Sequence, residues 1–177
     1  LERGADVNAG LRDGQTPLYF AASQGKGFPE IVSLLLEKGA DVNAAAPGDY
    51  GKTALMAAAN NGNTDIVRML LDRGADLSLK SKENSRNALL YAAENGKTET
   101  VRLLLDRGAV LNSKNGYGET SLMLAVTKNH TKTVELLLER GADPNIKARD
   151  RETPLIRASR NGNVEIVNLL KRAGAKP

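Results

Sequence analysis

The stretch Leu136-Leu137-Leu138-Glu139-Arg140-Gly141-Ala142-Asp143-Pro144-Asn145 decides the architecture, because the chain keeps returning to it. Close versions end at Asn8, Asn43, Ser78 and Asn112, and a broken copy spans residues 169–175. The glycine of the phrase falls at Gly4, Gly39, Gly74, Gly108, Gly141 and Gly174, in steps of 35, 35, 34, 33 and 33 residues. A period that steady marks a repeat array, whose units bury their apolar sides by stacking on one another. The 177 residues therefore read as one cooperative stack, and the usual length-based count of domains does not apply.

Upstream of each phrase lies a second recurring opening. Thr16-Pro17-Leu18-Tyr19-Phe20-Ala21-Ala22 returns as Thr53-Ala54-Leu55, Asn87-Ala88-Leu89, Thr120-Ser121-Leu122 and Thr153-Pro154-Leu155. A Thr suits the N-cap, where its oxygen accepts from a free backbone N–H. Pro suits the first helical position, where no N–H is needed. Ala21 and Ala22 are small enough to let neighbouring helices approach closely. Gly25 is expected to end this helix in the left-handed region. A second helix is expected in each unit, for example over 65–73 and 133–140, with Ile66, Val67, Leu70 and Leu71 at helical spacing. Gly-Ala-Asp then ends it, and Asp and Asn favour the turn that follows.

These units resemble ankyrin repeats, which pair a β-turn with two antiparallel helices around a Thr-Pro-Leu-His signature at a period near 33 residues. The resemblance covers essentially the whole chain. It divides into a remnant at 1–10 and full units at about 11–45, 46–79, 80–112, 113–146 and 147–177, the last a C-terminal cap. It implies an all-α solenoid of stacked helix-turn-helix units with short β-turn fingers. Several positions depart from the family pattern. Tyr19, Met56, Leu90, Met123 and Ile156 stand where the signature has His. Ser85 and Arg151 replace the turn glycine of Gly14, Gly51 and Gly118. Extra residues sit in Gly25-Lys26-Gly27-Phe28-Pro29 and in the loops 44–52 and 79–86.

The two ends of the chain read differently. Residues 1–8 look like the tail of a unit whose helices lie outside this sequence, so the first full unit is expected to expose an apolar face. In the last unit, Lys171 replaces the Leu of Leu71, Leu105 and Leu138, and Arg157 replaces Phe20, Tyr91 and Leu124. An outer face turned polar is what a terminal unit needs. Residues 145–177 carry eight Lys/Arg against three Asp/Glu, within a chain whose net charge is +4.

Little in the composition supports catalysis. Cysteine is absent, which excludes disulfides and thiolate metal sites. The one histidine, His130, stands in Asn129-His130-Thr131 between two helices and reads as structural. Gly25-Lys26-Gly27 follows a helix and lacks a third glycine, so it reads as an insertion and not a phosphate loop. No cofactor, metal or enzymatic activity is expected. There is no signal peptide and no apolar run of membrane-spanning length, so an intracellular, cytoplasmic monomer is expected.

The resemblance implies recognition of a protein partner on the concave side, by the fingers and the exposed side of each first helix. Carried over by position, this selects Asp13, Gln15, Ser23 and Gln24 in the first unit. Tyr50, Lys52, Asn60 and Asn61 follow in the second, and Asn84, Arg86, Tyr91, Glu94 and Asn95 in the third. The fourth contributes Tyr117, Glu119, Thr127 and Lys128, and the fifth Asp150, Glu152, Arg160 and Asn161. Tyr50 and Tyr117 are the sharpest candidates, since each holds a large ring at a fingertip with no core to fill; the competing reading packs each ring on the next finger. The expected function is a non-catalytic protein–protein interaction module. Two alternatives remain: the basic C-terminal end docks on nucleic acid or anionic lipid, or the array is the targeting arm of a larger enzyme or effector. Asn43 and Asn145 stand in a turn context that is hydroxylated in some ankyrin arrays, although a structural role is expected for both.

Overall fold

The computed structural model describes residues 6–10 and 14–176. Asp13 and the first half of the leading remnant lie outside these residues. Five helix pairs follow one another: α1 (Pro17–Ser23) with α2 (Pro29–Glu37), α3 (Ala54–Asn61) with α4 (Thr64–Asp72), α5 (Ala88–Glu94) with α6 (Thr98–Asp106), α7 (Ser121–Thr127) with α8 (Thr131–Glu139), and α9 (Pro154–Arg160) with α10 (Val164–Arg172). The first helices pack side by side in one layer and the second helices in another. The two-residue strands β1 (Ala45–Ala46) and β2 (Lys52–Thr53) pair antiparallel, with Ala45 opposite Thr53 and Ala46 opposite Lys52.

Local chemistry starts each first helix where the sequence reading places it. Thr16, Thr53, Asn87, Thr120 and Thr153 are the N-caps, and their side-chain oxygens accept from the N–H groups of Tyr19, Met56, Leu90, Met123 and Ile156. Each cap contributes about 1 kcal/mol. The leucine two residues into the opening is buried in every unit, and the alanines Ala22, Ala58, Ala59, Ala92, Ala93, Ala125 and Ala158 are fully enclosed between first helices. On the second layer Val32, Val67, Val101 and Val134 do the same. The core is thus a continuous seam of small and branched side chains, which is why so few rings suffice.

Two sequence expectations shift. The second helices begin earlier than expected, at Thr64 and Thr131, and end at Asp72 and Glu139, leaving Arg73 and Arg140 as C-caps. Gly25 does not end α1. Gln24 caps it in extended conformation, and the left-handed residue is Gly27 at φ 67°. The extra residues loop out so that Gly27 reaches the place Gly62 holds in the next unit. A Cβ on Gly27 would crowd the Ile66 Cδ1 methyl of α4 in a backbone conformation that L side chains rarely adopt, so glycine suits this close approach.

Side-chain bonds stitch the closing turns together. Asn8, Asn43, Asn112 and Asn145 each accept, through Oδ1, from the backbone N–H of Asp41, Asp76, Asp143 and Lys176, at 2.8, 2.8, 3.2 and 2.8 Å. Asn43 and Asn145 also donate to Gly74 O and Gly174 O, so both carboxamides are engaged in holding the stack. One seam breaks this pattern. Ser78 turns its hydroxyl back onto Asp76 Oδ1, and the N–H of Val110 receives no such partner among the described residues. Asp72 and Arg73 stand on an exposed face. Asp72 accepts from Arg107 at 2.8 Å across that same seam, and Asp106 from Arg140 at 2.8 Å across the next.

Candidate functional site

The concave candidates sit on two kinds of support, the fingers and the inner layer of first helices. The finger of the second unit is the β1–β2 hairpin. Its tip turns through a 3₁₀ stretch, Pro47–Asp49, then through Tyr50 at φ 53° and Gly51 at φ 70°. Ser85 and Arg151 hold φ 53° and 66°, so the left-handed turn is kept even where glycine is absent. Backbone bonds link tip to tip: Lys82 N–H donates to Tyr50 O at 2.7 Å, Gly116 to Asn84 O at 2.7 Å, and Arg149 to Tyr117 O at 2.9 Å. Asn115 stiffens the fourth finger further, accepting from the N–H groups of Tyr117 and Glu119 at 2.9 Å each.

It is the backbone of Tyr50 and Tyr117 that meets the next finger. The two residues remain 56% and 58% exposed, against the reading in which their rings pack there. Tyr91 behaves otherwise. It is buried, its hydroxyl donates to Ser81 Oγ at 3.1 Å, and Lys52 and Arg86 lie over its ring at 5.4 and 5.9 Å. Tyr91 is therefore corrected from an accessible contact to a support beneath the fingers. Leu124 and Arg157 share its place in the unit and are also buried, whereas Phe20 there is exposed.

The charged candidates are mostly engaged with one another. Lys52 Nζ donates to Asp49 Oδ1 at 3.0 Å, and Arg86 pairs with Glu94 at 2.7 Å. Glu119 accepts from Arg157 at 2.6 Å and Asp150 from Arg157 at 3.0 Å, while Arg160 pairs with Glu152. Arg157 was expected on a polar outer face. It is buried instead, because three carboxylates surround its guanidinium; its Nε lies 3.2 Å from Glu152 Oε2 without being aligned for a hydrogen bond. Asp49 was not among the candidates, although it organises this region. Burial alone would raise its carboxyl, but the bonds from Tyr19 and Lys52 outweigh that and hold it below the usual carboxylate range. The Tyr19 phenol, desolvated and donating to the Asp49 carboxylate, is pushed well above its usual range. Tyr19 thus reaches the next loop from a place where the signature has His. Lys128 stands exposed just past α7, and no ion pair engages it among the described residues.

The amides form a continuous line along the inner helix ends. Asn61 Nδ2 donates to Ser23 O at 2.8 Å, Asn60 Nδ2 to Asn61 Oδ1 at 3.2 Å, and Asn95 Nδ2 to Asn60 Oδ1 at 3.0 Å. His130 joins its unit to the one before through a ring nitrogen 3.0 Å from Glu94 O, in keeping with a structural role. No group of His, Cys, Asp and Glu that could hold a metal ion occurs among the described residues. No helix among them is long and apolar enough to cross a membrane.

Comparison with protein families agrees with this geometry. A family model described as ankyrin repeats in three copies matches residues 1–81 and 77–148, and an ankyrin-repeat model matches residues 150–177. The chain belongs to the ankyrin-repeat family. A comparison with curated proteins finds no match. Ankyrin repeats are generally protein–protein interaction modules and are typically non-catalytic.

Proposed function

We propose that this array binds a polypeptide partner along its concave side, with Tyr50 and Tyr117 as the principal contacts. One observation carries the reading: two tyrosines, more than half exposed, stand on fingertips whose backbones are hydrogen-bonded to the next finger. A ring held on a stiff support loses little conformational freedom on binding, and Tyr is enriched among the residues that dominate interface energies. Asn60, Asn61, Lys128 and the rims of the Arg86–Glu94 and Arg160–Glu152 pairs complete the surface.

The ion pairs weigh against the basic C-terminal end as a phosphate-binding surface. Arg157 and Arg160 are already held by carboxylates. Phosphate recognition needs clustered, available cations and falls steeply with salt. The test is a quantitative pull-down with the wild-type chain and a Tyr50→Ala, Tyr117→Ala double variant. Partners retained by the wild type at moderate salt should be lost with the double variant. Equal recovery by both would sink this surface. Loss that follows salt and the variants Arg149→Ala, Arg151→Ala and Lys171→Ala would favour the basic end.

A further inference from the structure

We propose that the partner segment is acidic and extended, and that two matched fingertip sites, Tyr50 with Lys82 and Tyr117 with Arg149, receive its carboxylates. This rests on the concave-side reading above. The same backbone link between neighbouring fingers makes each site. Lys82 N–H donates to Tyr50 O at 2.7 Å, and Arg149 N–H to Tyr117 O at 2.9 Å. The link sets an exposed cation of one finger beside an exposed tyrosine of the finger before it. The Lys82 side chain is held close to its tyrosine. A Cβ on Gly51, the residue after Tyr50, would meet Lys82 Cγ at 3.1 Å. The seam between the two sites has the same link, Gly116 N–H to Asn84 O at 2.7 Å, and the linked residues there carry neither ring nor charge. The sites thus stand two units apart, about 20 Å at roughly 10 Å per packed helix. An extended strand covers that distance in about six residues.

The way the fingers distribute charge defines the occupant. Asp49, Glu94, Glu119, Asp150 and Glu152 are all paired with cations of the array itself. Lys82, Lys114, Lys147, Arg149 and Arg151 are exposed, and no ion pair engages them among the described residues. The fingertips therefore present positive charge whose counter-ions the array does not supply. A guest carboxylate meets a cation there and a phenol O–H that can donate to it, a charge-assisted hydrogen bond. Exposed ion pairs are worth about 0.2–1 kcal/mol each. Their larger effect is on which partner is chosen and how fast it arrives. A nucleic acid fits less well. One strand of a duplex carries a phosphate about every 3.4 Å. It would lay charge against the exposed Glu83 and the uncharged Asn84–Gly116 link between the sites.

A random peptide library displayed on phage, panned against the whole chain, tests this. Selected peptides should carry two acidic positions at that spacing. Their binding should weaken as salt rises and persist at physiological ionic strength. The double variant Lys82→Glu, Arg149→Glu should weaken a synthetic copy of a selected peptide about tenfold or more, with the circular dichroism and unfolding midpoint unchanged. Tyr50→Ala, Tyr117→Ala should weaken it as well. Arg68→Glu, Lys132→Glu makes the same change of net charge on α4 and α8 and should leave binding nearly as it was. Equal weakening by both charge-reversed pairs would reduce the effect to net charge and overturn the sites. So would a single-stranded oligothymidylate that binds the wild type more tightly than the selected peptides do. Peptides without acidic residues, lost with the tyrosine variant and indifferent to Lys82→Glu, Arg149→Glu, would overturn the sites and leave the concave reading standing. Peptides indifferent to both sets of variants, or no enrichment over a blank surface, would overturn both.

Discussion

Arg157 shows how far a single residue can depart from what its type suggests. A cation in a terminal unit invites the reading of a solvated cap, yet this one is buried among Glu119, Asp150 and Glu152. Its neighbours explain why: Glu119 belongs to the preceding finger and Asp150 and Glu152 to its own, so three carboxylates converge on the floor position. No sequence spacing announces that convergence, because the partners lie 38, 7 and 5 residues away. Arg157→Met would leave the mostly buried Glu119 without its cation. Breaking a buried pair costs about 3–5 kcal/mol, and the half-exposed Asp150 places this case at the lower end. Urea unfolding followed by circular dichroism checks it, and adding Glu119→Gln should recover part of the loss. The pH dependence has a definite sign. The backbone N–H of Glu152, with help from Arg157, holds the Asp150 carboxyl below its ordinary value. A carboxylate depressed in the folded state stabilises above its unfolded pKa, near 4, and loses that contribution as pH falls through the folded value. The gap between wild type and Arg157→Met should therefore narrow in acid. An unchanged gap, or a loss well under 1 kcal/mol at neutral pH, would remove the network from the stability of the last unit.

At the scale of elements, the repeat made nearly everything legible. Thr or Asn before each first helix, leucine two residues on, and glycine after each second helix are local rules, and local rules survive stacking. What the sequence hid was the lateral bonding, because a residue's partner sits in the next unit. The asparagines that end the closing phrase read as turn formers. They also bridge to residues 31 or 33 positions later. Ser78 is the exception, and its place in the repeat shows what it lacks. With Asn there, Oδ1 could accept from Val110 N–H as Asn43 does from Asp76 N–H at 2.8 Å. Ser78→Asn should stabilise the seam between the second and third units by about 1 kcal/mol, the usual net worth of one hydrogen bond. Hydrogen exchange of the Val110 amide is the direct measurement. Exchange as fast in the variant as in the wild type would show that the socket does not close.

At the scale of the whole described stack, the first and last units present unlike outer faces. The outer face of the first unit leaves Phe20, Phe28, Ile31 and Leu34 between 44% and 48% exposed. Between them runs an apolar groove of about 410 Å³, walled by Pro17, Phe28, Ile31 and Leu35. In the last unit, Ser159, Arg160, Asn168 and Lys171 are exposed instead, although Ile156 and Val164 also reach solvent. The sequence announced this asymmetry through Lys171, since the same place holds leucine in the inner units. An array is a sum of units and nearest-neighbour interfaces, so an exposed apolar face on one unit is a local property that leaves the other units unaffected. A contiguous apolar patch on a folded chain attracts hydrophobic dyes and other apolar surfaces. The wild-type chain should bind an anionic naphthalene dye in its folded state. The double variant Phe28→Ser, Ile31→Lys should lose most of that fluorescence, with an unfolding midpoint nearly unchanged because both side chains are already half in water. Ile156→Ser at the opposite end should change the signal far less. If the dye signal instead fell equally with either set of substitutions, the ends would be alike in practice. The polar character read from Lys171 would then not distinguish the outer face of the last unit from that of the first.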